Sequence, residues 1–465
     1  MENSRKPRSV DLVAHVSADL NQAIFPGANL LLGLSGGIDS ISLLHVLVEL
    51  RGPRRFSLRA VHINHAISPN SAEWAQFCSR QCVRLGVPLA IEQVDVSLFR
   101  HLGPEGAARA ARWAAFESHQ ADFLLLAQHR DDQAETMLLQ LLRGAGPAGL
   151  AGMAGSGAYS GSSTKNHADP QSAASYPHAR VLRPFLTIGR ADIEAFASSR
   201  NVTWVEDESN ANITLERNFI RHQILPAIAN RHGHAIEAMA RAAQIQAEAS
   251  RLLTQLGLQD IAPLEKESGL DLPGLRALGE ERARNALRAY CERNGIPQPG
   301  FHRLREIWKQ LREPRPDGNI YFEWQGYALR RYRGRIFIER LLANMGNFLS
   351  ASWHGEPYLP IVELNGTLNF KPEEGRGISV EKLRSAPVSI RPRRGGERLR
   401  SDPRRPHRTL KNLWQEKGVP PWRRDRTPLI FCGEELVCVP GLGEQIEWRA
   451  MPGERGLIIS WQTFG

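Results

Sequence analysis

Apolar runs alternate with amphipathic stretches over the first 200 residues of the chain. Four short apolar runs predict strands covered on both faces, and a fifth strand is predicted around Val181–Leu182. The four runs are Leu30–Leu34, Leu58–Ile63, Leu89–Val94 and Phe123–Ala127. Between the strands, apolar residues recur at helical spacing in Ile41–Leu50, Ala72–Leu85, Gly106–His119 and Asp131–Leu142. This alternation predicts an α/β fold with a doubly wound parallel sheet, in which ligands bind beyond the carboxyl ends of the strands.

The rest of the chain predicts helices followed by a small α+β domain. Helical periodicity extends from Pro226 to about Gln310, for example over Ala227–Leu256, and strands are predicted at Tyr321–Tyr332 and Arg335–Glu339. We divide the chain into an α/β catalytic domain (1–225), a mainly helical domain (226–345), a linker (346–387) and a basic terminal α+β domain (388–465).

One segment lacks any periodic pattern. Gly144–His178 is rich in glycine, alanine and serine, which predicts a flexible loop. It leaves the ligand-binding edge of the sheet, so a mobile lid is one interpretation. A tolerated insertion is the other, for the part from Gly155 onward.

The string SGGIDS follows the first predicted strand and opens the next helix. Glycine admits positive φ and close approach of a ligand, and the free N–H groups of a first helical turn favour an anion. An ordinary tight turn with a helix cap is the alternative. The whole string favours a phosphate-binding loop made by Ser35, Gly36, Gly37, Ile38, Asp39 and Ser40.

Polar residues also follow the second and fourth strands. His62 to Asn64 ends the second strand, and Gln128-His129-Arg130-Asp131-Asp132 follows the fourth. Asp132 and Glu135 are three residues apart, so they share one face of the helix. Carboxylates beside phosphates usually hold Mg²⁺, which predicts a metal role for Asp39 and Asp132. For Asp132 and Glu135, simple complementation of the helix dipole is the alternative.

Two groups of arginines complete the candidate site. Arg109 and Arg112 share a face of an alanine-rich helix, and Arg217, Asn218 and Arg221 lie at another helix start. Guanidinium groups near the sheet edge suit a triphosphate or an RNA backbone. Surface salt bridges are the competing interpretation for both groups.

Composition limits the class of protein. Hydrophobic residues make up 42% of the 465, but no apolar run approaches the ~20 residues that span a bilayer. The five cysteines are odd in number and form no CxxC pair. They predict reduced, mostly buried thiols in a cytoplasmic protein, with no membrane partner and no zinc site.

The positive charge is concentrated near the C-terminus. The chain carries a formal net charge of +10, and Arg391 to Arg426 contains 13 Lys/Arg against 4 Asp/Glu. A patch of this kind suits a polyanion, nucleic acid first, although a solvated basic face is the plainer interpretation.

Taken together, these segments carry a resemblance to a known family. SGGIDSISLL resembles the pyrophosphate-binding loop of the N-type ATP pyrophosphatases, a superfamily with a Rossmann-like PP-loop domain. The wider combination resembles the tRNA(Ile)-lysidine synthetases. The further segments that carry it are VHINHAISPNSAEW, EGAARAARWAAF, AQHRDDQAETMLLQLLRGAGPAGLAGM, LRPFL, WVEDESNANITLERNFIRHQILP, RPRRGGERLR, HRTLKNLWQEKGVPPWRRDRTPLIF and GEELVCVPGLG. The likeness is weakest from about Ser250 to Val388.

The resemblance implies a reaction in two steps. ATP adenylates the C2 carbonyl oxygen of the wobble cytidine in a CAU anticodon and releases pyrophosphate. The ε-amine of free L-lysine then attacks C2, and AMP leaves to give lysidine. It implies that Ser35–Ser40, His62, Asn64, Arg109 and Arg112 bind ATP. Asp39 and Asp132 would act through Mg²⁺. Glu135, Arg217 and Arg221 would lie around the lysine and the adenylated base. It implies tRNA contacts for Arg221, Arg404, Arg405, Arg408, Lys411, Arg423 and Arg424.

Two positions depart from the family's pattern. Gln128 stands where the first of two histidines is usual, and Ile67-Ser68 replaces a leucine-arginine pair, which removes one basic contact. The competing functions are another adenylating enzyme of this fold, such as a tRNA thiolase, and a nucleic-acid-binding protein without catalysis. The absence of CxxC argues against the first, and the intact SGGIDS and DDQAE strings argue against the second. The oligomeric state stays open, with a homodimer as one alternative.

Overall fold

The structure is a computed structural model that describes six stretches of the chain. They are residues 10–65, 68–158, 179–266, 269–313, 320–341 and 348–463. Residue 67, where the sequence departs from the family pattern, and residues 159–178 of the expected flexible loop lie outside them. The chain divides into two compact units, Met1–Gln259 with Asn285–Gln298, and Asp260–Arg284 with Pro299–Gly465.

The first unit is built on a six-stranded sheet. Its strands are β1 (Asn29–Gly33), β2 (Ser57–Asn64), β3 (Leu89–Gln93), β4 (Phe123–Leu125), β5 (Ser156–Ala158) and β6 (Arg180–Leu182). They lie in the order β3-β2-β1-β4-β6-β5, and all neighbours are parallel except β5 and β6. The five parallel strands are those that the apolar runs predict, so the predicted fold class is confirmed.

Helices cover both faces of this sheet. The helices of this part of the chain are α1 (Leu12–Ala23), α2 (Ile38–Arg54), α3 (Ser71–Leu85), α4 (Gly103–Glu117), α5 (Arg130–Leu142), α6 (Pro147–Leu150), α7 (Arg190–Ser199), α8 (Glu216–Phe219), α9 (Leu225–Arg231) and α10 (Ala235–Ile261). Leu30 and Leu32 of β1 pack in one buried cluster with α2, whereas Leu31 packs in another with Trp113 of α4. Because successive strand residues alternate in direction, this division shows that the central strand is covered on both faces.

One predicted helix is interrupted. The sequence predicts a single helix over Ala227–Leu256, but the structure has α9 and α10 with a break at His232-Gly233-His234. His232 has an extended backbone and is followed by glycine, the residue that costs most in a helix after proline. The hydrophobic spacing continues across the break, which explains why the pattern alone did not reveal it.

The second unit contains three larger sheets. The first has the order β7-β8-β11-β10-β9, from β7 (Glu265–Lys266), β8 (Gly269–Asp271), β9 (Tyr321–Trp324), β10 (Tyr327–Tyr332) and β11 (Arg335–Arg340). The helices that follow α10 in the chain are α11 (Leu272–Ala277), α12 (Glu280–Arg293) and α13 (Phe301–Arg312). The strands that the sequence predicts between 321 and 339 are therefore present.

The other two sheets form the C-terminal part of this unit. Their strands are β12 (Ala351–Trp353), β13 (Tyr358–Ile361), β14 (Gly366–Glu374), β15 (Ile378–Ser379), β16 (Val388–Arg391), β19 (Leu429–Cys432), β20 (Glu435–Val439), β21 (Gly443–Glu444) and β22 (Arg455–Thr463). A two-stranded ribbon pairs β17 (Arg398–Leu399) with β18 (Arg408–Thr409). The helices here are α14 (Val380–Leu383), α15 (Leu410–Glu416) and α16 (Pro421–Arg424).

The predicted linker, residues 346–387, requires a correction. Its described part contains β12 to β15, of which β12 pairs with β16 and β14 pairs with β22 along nine residues. Leu368 and Phe370 are buried in the same core as Ile390 and Ile459. This segment is therefore part of the terminal α+β structure. The other boundaries of the four-part division stay a prediction.

Arg424, which the resemblance places on the tRNA surface, also requires a correction. It is 6% exposed, its Nε donates to the carbonyl of Val419 at 2.8 Å, and its Nη2 donates to the hydroxyl of Tyr332 at 3.0 Å. Trp422 packs edge-on against Tyr332 and Phe337. Residues 422 and 424 thus hold α16 to β10 and β11, and the buried guanidinium is not available to RNA.

The buried cysteines and the helix lengths agree with the composition. All five cysteines are buried and unpaired by disulfides. Among the described residues, no helix combines the length and apolar character that crossing a membrane requires.

Arg424→Ala should lower the free energy of unfolding by about 2–4 kcal/mol, because it leaves a buried carbonyl and hydroxyl without their donor. Arg404→Ala, at an exposed position, is the matched control and should change stability by less than about 0.5 kcal/mol. Urea unfolding measures both, and equal stability of the two variants would contradict a structural role for Arg424.

Candidate active site

The SGGIDS loop joins the end of β1 to the start of α2. The hydroxyl of Ser40 accepts the backbone N–H groups of Ser35 and Gly36, each at 3.2 Å, and donates to the carbonyl of Gly37 at 3.0 Å. Ser40 is 4% exposed, so its hydroxyl closes the loop from inside. The N–H groups at the beginning of α2 have no partners within the helix, which leaves them for an anion at the positive end of its dipole.

No other residue fits at the position of Gly36 in this loop. Its φ is +92°, and a Cβ atom there would lie 2.8 Å from Cγ2 of Val205 and 3.2 Å from Sγ of Cys78. The carbonyl of Gly36 also accepts the N–H of Val205 at 3.1 Å. The loop is therefore packed against the segment before α8, and both the backbone and the packing require glycine.

Asp39 presents one carboxylate oxygen without a hydrogen bond. Its Oδ2 accepts from Nη1 of Arg190 at 2.8 Å, while Oδ1 is buried, has no hydrogen-bond partner and lies 3.8 Å from Nε2 of His129. Burial raises the pKa of Asp39, and the charges of His129 and Arg190 oppose that shift. An orphaned carboxylate oxygen beside a phosphate loop fits a cation that travels with a nucleotide.

His129 lies at the centre of the carboxylates, and the sequence analysis did not single it out. It is 3% exposed, and its ring nitrogens lie 3.4 Å from Asp132, 3.7 Å from Asp131 and 3.8 Å from Asp39. Burial alone would lower the pKa of His129, but the neighbouring carboxylates of Asp131, Asp132 and Asp39 raise it. The signal that could have revealed it is its place two residues before the Asp131-Asp132 pair, just after the end of a strand.

Asp132 and Glu135 face the same side of α5, as their spacing predicts, and two arginines bind both. Arg217 donates its Nε to Glu135 at 2.8 Å and its Nη2 to Asp132 at 3.1 Å. Arg221 donates its Nε to Glu135 at 2.5 Å and its Nη2 to Asp132 at 3.0 Å. Glu135 is 1% exposed, so its oxygens are occupied below the surface.

These contacts bear on the roles that the resemblance implies. Glu135 is saturated by guanidinium groups, which favours positioning of Arg217 and Arg221 over direct contact with a substrate amine. Both oxygens of Asp132 are also engaged, Oδ1 by the arginines and Oδ2 by the backbone N–H of His129 at 3.0 Å. Burial raises the pKa of Asp132, but His129 and Arg217 lower it further than burial raises it. Of the two carboxylates predicted to hold Mg²⁺, only Asp39 offers an oxygen without a hydrogen-bond partner.

The remaining predicted ATP-binding residues surround this edge. His62 is 4% exposed and its Nδ1 lies 2.9 Å from the carbonyl of Leu34, below the loop, where burial lowers its pKa. Asn64 ends β2. Arg112 on α4 has a lowered pKa, through desolvation and then the nearby charges of Arg109 and Arg217. The arginines of α4 and α8 therefore face a common region.

Part of the segment expected to be flexible is held against α5. The side chain of Gln133 exchanges two hydrogen bonds with the backbone of Met153, at 2.9 and 2.6 Å. Arg183, directly after β6, donates to the carbonyl of Ala154 at 2.7 Å, and β5 pairs with β6. Residues 144–158 are thus anchored beside the active edge, which corrects the expectation of an unstructured loop for that part.

Comparisons with known proteins cover nearly the whole chain. Three family models match, a PP-loop domain over residues 12–228, a TilS substrate binding domain over 270–337 and a TilS substrate C-terminal domain over 388–461. The tRNA(Ile)-lysidine synthase of Nitrosomonas europaea is 36% identical over 461 residues, covering 99% of this chain and 98% of the relative. That of Aromatoleum aromaticum is 37% identical over 441 residues, covering 95% and 99%. This chain belongs to the tRNA(Ile)-lysidine synthase family.

Membership of the tRNA(Ile)-lysidine synthase family indicates the class of reaction that the protein catalyses. The protein is a ligase of the PP-loop ATP pyrophosphatases, and it uses ATP. The SGGIDS loop has a positive-φ glycine and close packing, which fit a phosphate-binding loop of such an enzyme.

Gly36→Ala should abolish measurable ATP binding, because the new Cβ must displace Val205 and the residue must leave its positive φ. Gly27→Ala is a matched control, since Gly27 also has positive φ (+85°) but nothing lies within 4 Å of its Cβ position. The control should cost about 1–2 kcal/mol of stability and leave ATP affinity unchanged. Calorimetric titration of ATP measures the difference, and unchanged affinity in Gly36→Ala would contradict the assigned loop.

Proposed function

We propose that the protein ligates free L-lysine to C2 of the wobble cytidine in the CAU anticodon of tRNA(Ile). ATP is cleaved to AMP and pyrophosphate, the cytidine is adenylated, and the product lysidine changes decoding from methionine to isoleucine codons. The observation that carries the proposal is full-length membership of the family together with an intact phosphate loop and carboxylate–arginine cluster.

The SGGIDS loop and the start of α2 account for the first step, the adenylation of the cytidine. The N–H groups at the beginning of α2 bind the phosphates of ATP and stabilise the departing pyrophosphate. Asp39 is the residue that would hold Mg²⁺, through its buried oxygen without a hydrogen bond. The ion would neutralise negative charge on the triphosphate. Arg190 holds the other oxygen of Asp39 and so fixes the direction of the free one.

The second step requires a positioned amine and a stabilised leaving AMP. Arg217 and Arg221 are held by Glu135 and Asp132, with parts of their guanidinium groups exposed, at 29% and 32% of the side chains. Fixed cations of this kind bind phosphate oxygens with little loss of freedom. We assign them to the adenylate and the anticodon backbone, and we assign Glu135 to holding both in place.

The basic terminal domain is proposed to bind the tRNA backbone. Arg404, Arg405 and Lys411 are exposed, although Arg405 lies within ion-pair distance of Asp402 and Glu416. Arg408 also pairs with Glu416, and Arg423 pairs with Glu339. Phosphate contacts fix the position of a nucleic acid but do not read its sequence. The domain therefore supplies affinity, while the catalytic unit selects the base.

The tRNA thiolase alternative is less favoured by the cysteines. Burial raises the pKa of Cys78 to about 12 and that of Cys82 to about 11. Thiols with such pKa values are protonated at neutral pH and are poor nucleophiles.

The decisive experiment is incubation of the protein with total tRNA, ATP and labelled lysine, followed by nucleoside analysis. Label should enter lysidine only when ATP is present and only in tRNA with a CAU anticodon. Thiolated nucleosides, or no lysine incorporation by a protein that catalyses ATP–pyrophosphate exchange, would contradict the proposed reaction.

Asp39→Asn should abolish ATP–pyrophosphate exchange while the protein stays folded, because the amide keeps the shape and loses the charge that Mg²⁺ requires. Asp19→Asn on α1, a carboxylate 51% exposed, is the control and should keep full exchange. Exchange at the wild-type rate in a folded Asp39→Asn would refute the metal role.

Replacing Arg404, Arg405 and Arg408 with alanine should weaken tRNA binding and flatten its salt dependence, by up to about one unit of slope for each phosphate interaction removed. Lys371→Ala with Arg376→Ala removes exposed charges elsewhere in the same unit and should leave the slope unchanged. Filter binding across a salt series gives the slopes. An unchanged slope in the triple variant would exclude this surface as the tRNA-binding surface.

A further inference from the structure

Arg183 differs from the other arginines of the active edge in its partners. Its Nε donates to the side-chain oxygen of Gln128 at 2.9 Å, and its Nη1 donates to the carbonyl of Ala154 at 2.7 Å. Both acceptors are neutral. Arg190, Arg217 and Arg221 each have carboxylate partners, whereas no described carboxylate forms an ion pair with Arg183.

The surroundings add positive charge to this position. Burial, and then the nearby charge of Arg109, lower the pKa of Arg183 to about 10, so it stays protonated at neutral pH. Arg109 in turn lies close to Arg112. A partly buried guanidinium beside like charges is costly unless an anion compensates it. The residue nevertheless is held rigidly, by two hydrogen bonds and the pairing of β5 with β6.

We propose that Arg183 binds an oxyanion of a substrate, either the carboxylate of the free amino acid or a phosphate of ATP. The inference rests on the proposed function, since that reaction brings both oxyanions to this edge. The two neutral acceptors orient the guanidinium without cancelling its charge, which is the arrangement that an external anion requires.

The sheet order favours the carboxylate of lysine as the ligand. Arg183 follows β6, and β4 separates β6 from β1, which carries the phosphate loop. Two strand spacings correspond to about 10 Å. Lysine must place its ε-amine at the adenylated base, and its carboxylate then lies at the far end of a long side chain. A guanidinium that lies about 10 Å from the phosphate loop is suitably placed to bind the carboxylate end of lysine.

Gln128 provides an independent way to test the charge. This residue departs from the histidine usual in the family, and its amide oxygen accepts from Arg183. Gln128→Glu preserves the shape and places a carboxylate on Arg183, which should compete with the substrate oxyanion. Arg183→Gln removes the cation itself. Arg180→Gln, at the opposite end of β6, is the matched control.

The experiment measures KM for lysine and for ATP in the four proteins, with cadaverine as a competing amine. Cadaverine is lysine without its carboxylate. If lysine is the ligand, both test variants should raise KM for lysine about tenfold or more, with the inhibition constant of cadaverine and KM for ATP unchanged. If a phosphate is the ligand, KM for ATP should rise instead. Arg180→Gln should match the wild type.

A merely structural role would give a different result. If Arg183 only anchors Ala154, the affinities for lysine and cadaverine should fall together, the melting temperature should fall, and Gln128→Glu should be harmless, which would overturn the proposal. Unchanged constants in every variant would also overturn it. Failure of the proposed function can be distinguished from failure of this proposal, because the wild-type protein would then form no lysidine. Calorimetric titration of lysine and of ATP then still reports whether Arg183 binds either oxyanion.

Discussion

The active edge depends on the burial of Glu135 and Asp132 beneath two arginines. A carboxylate that is 1% exposed is stable as an anion only when cations and hydrogen bonds replace the water it has lost. Arg217 and Arg221 supply both, and the pairing joins α5 to the turn formed by α8 and the π-helical residues Ile220–Ile224. Removing either carboxylate would take one of its two carboxylate partners from each arginine, so it would weaken the site and the local packing together.

Charge at this edge is arranged in two layers. Below the surface, Asp39, Asp131, Asp132 and Glu135 are balanced by His129, Arg190, Arg217 and Arg221. Arg109, Arg112 and Arg183 lie near them and add positive charge. A polyphosphate and an amino-acid carboxylate are the anions that the proposed reaction brings here. The inner layer fixes geometry, and the outer one provides the attraction.

The sequence predicts the parallel strands, the phosphate loop and the shared face of Asp132 and Glu135, because these depend on local pattern and spacing. The sequence does not predict which partners a charged side chain contacts in the folded protein. The spacing that puts Glu135 on the site face is equally compatible with an exposed base and with a buried anchor. In the same way, the number of basic residues in a segment cannot distinguish exposed Arg404 from buried Arg424. Arg424 is buried because its guanidinium donates to Tyr332 and Val419, which are contacts that the count does not contain.

Contacts between residues that are distant in sequence determine the remaining geometry of the site. Arg190 opens α7, donates its side chain to Asp39 after β1, and donates its backbone N–H to Asp131 after β4 at 3.1 Å. One residue therefore joins three loops, separated by up to 151 positions. Because Arg190 follows β6, the phosphate loop receives one of its partners from the segment after the last parallel strand. The free oxygen of Asp39 is thus directed by the whole sheet, which explains why a short motif identifies the chemistry but does not build the site by itself.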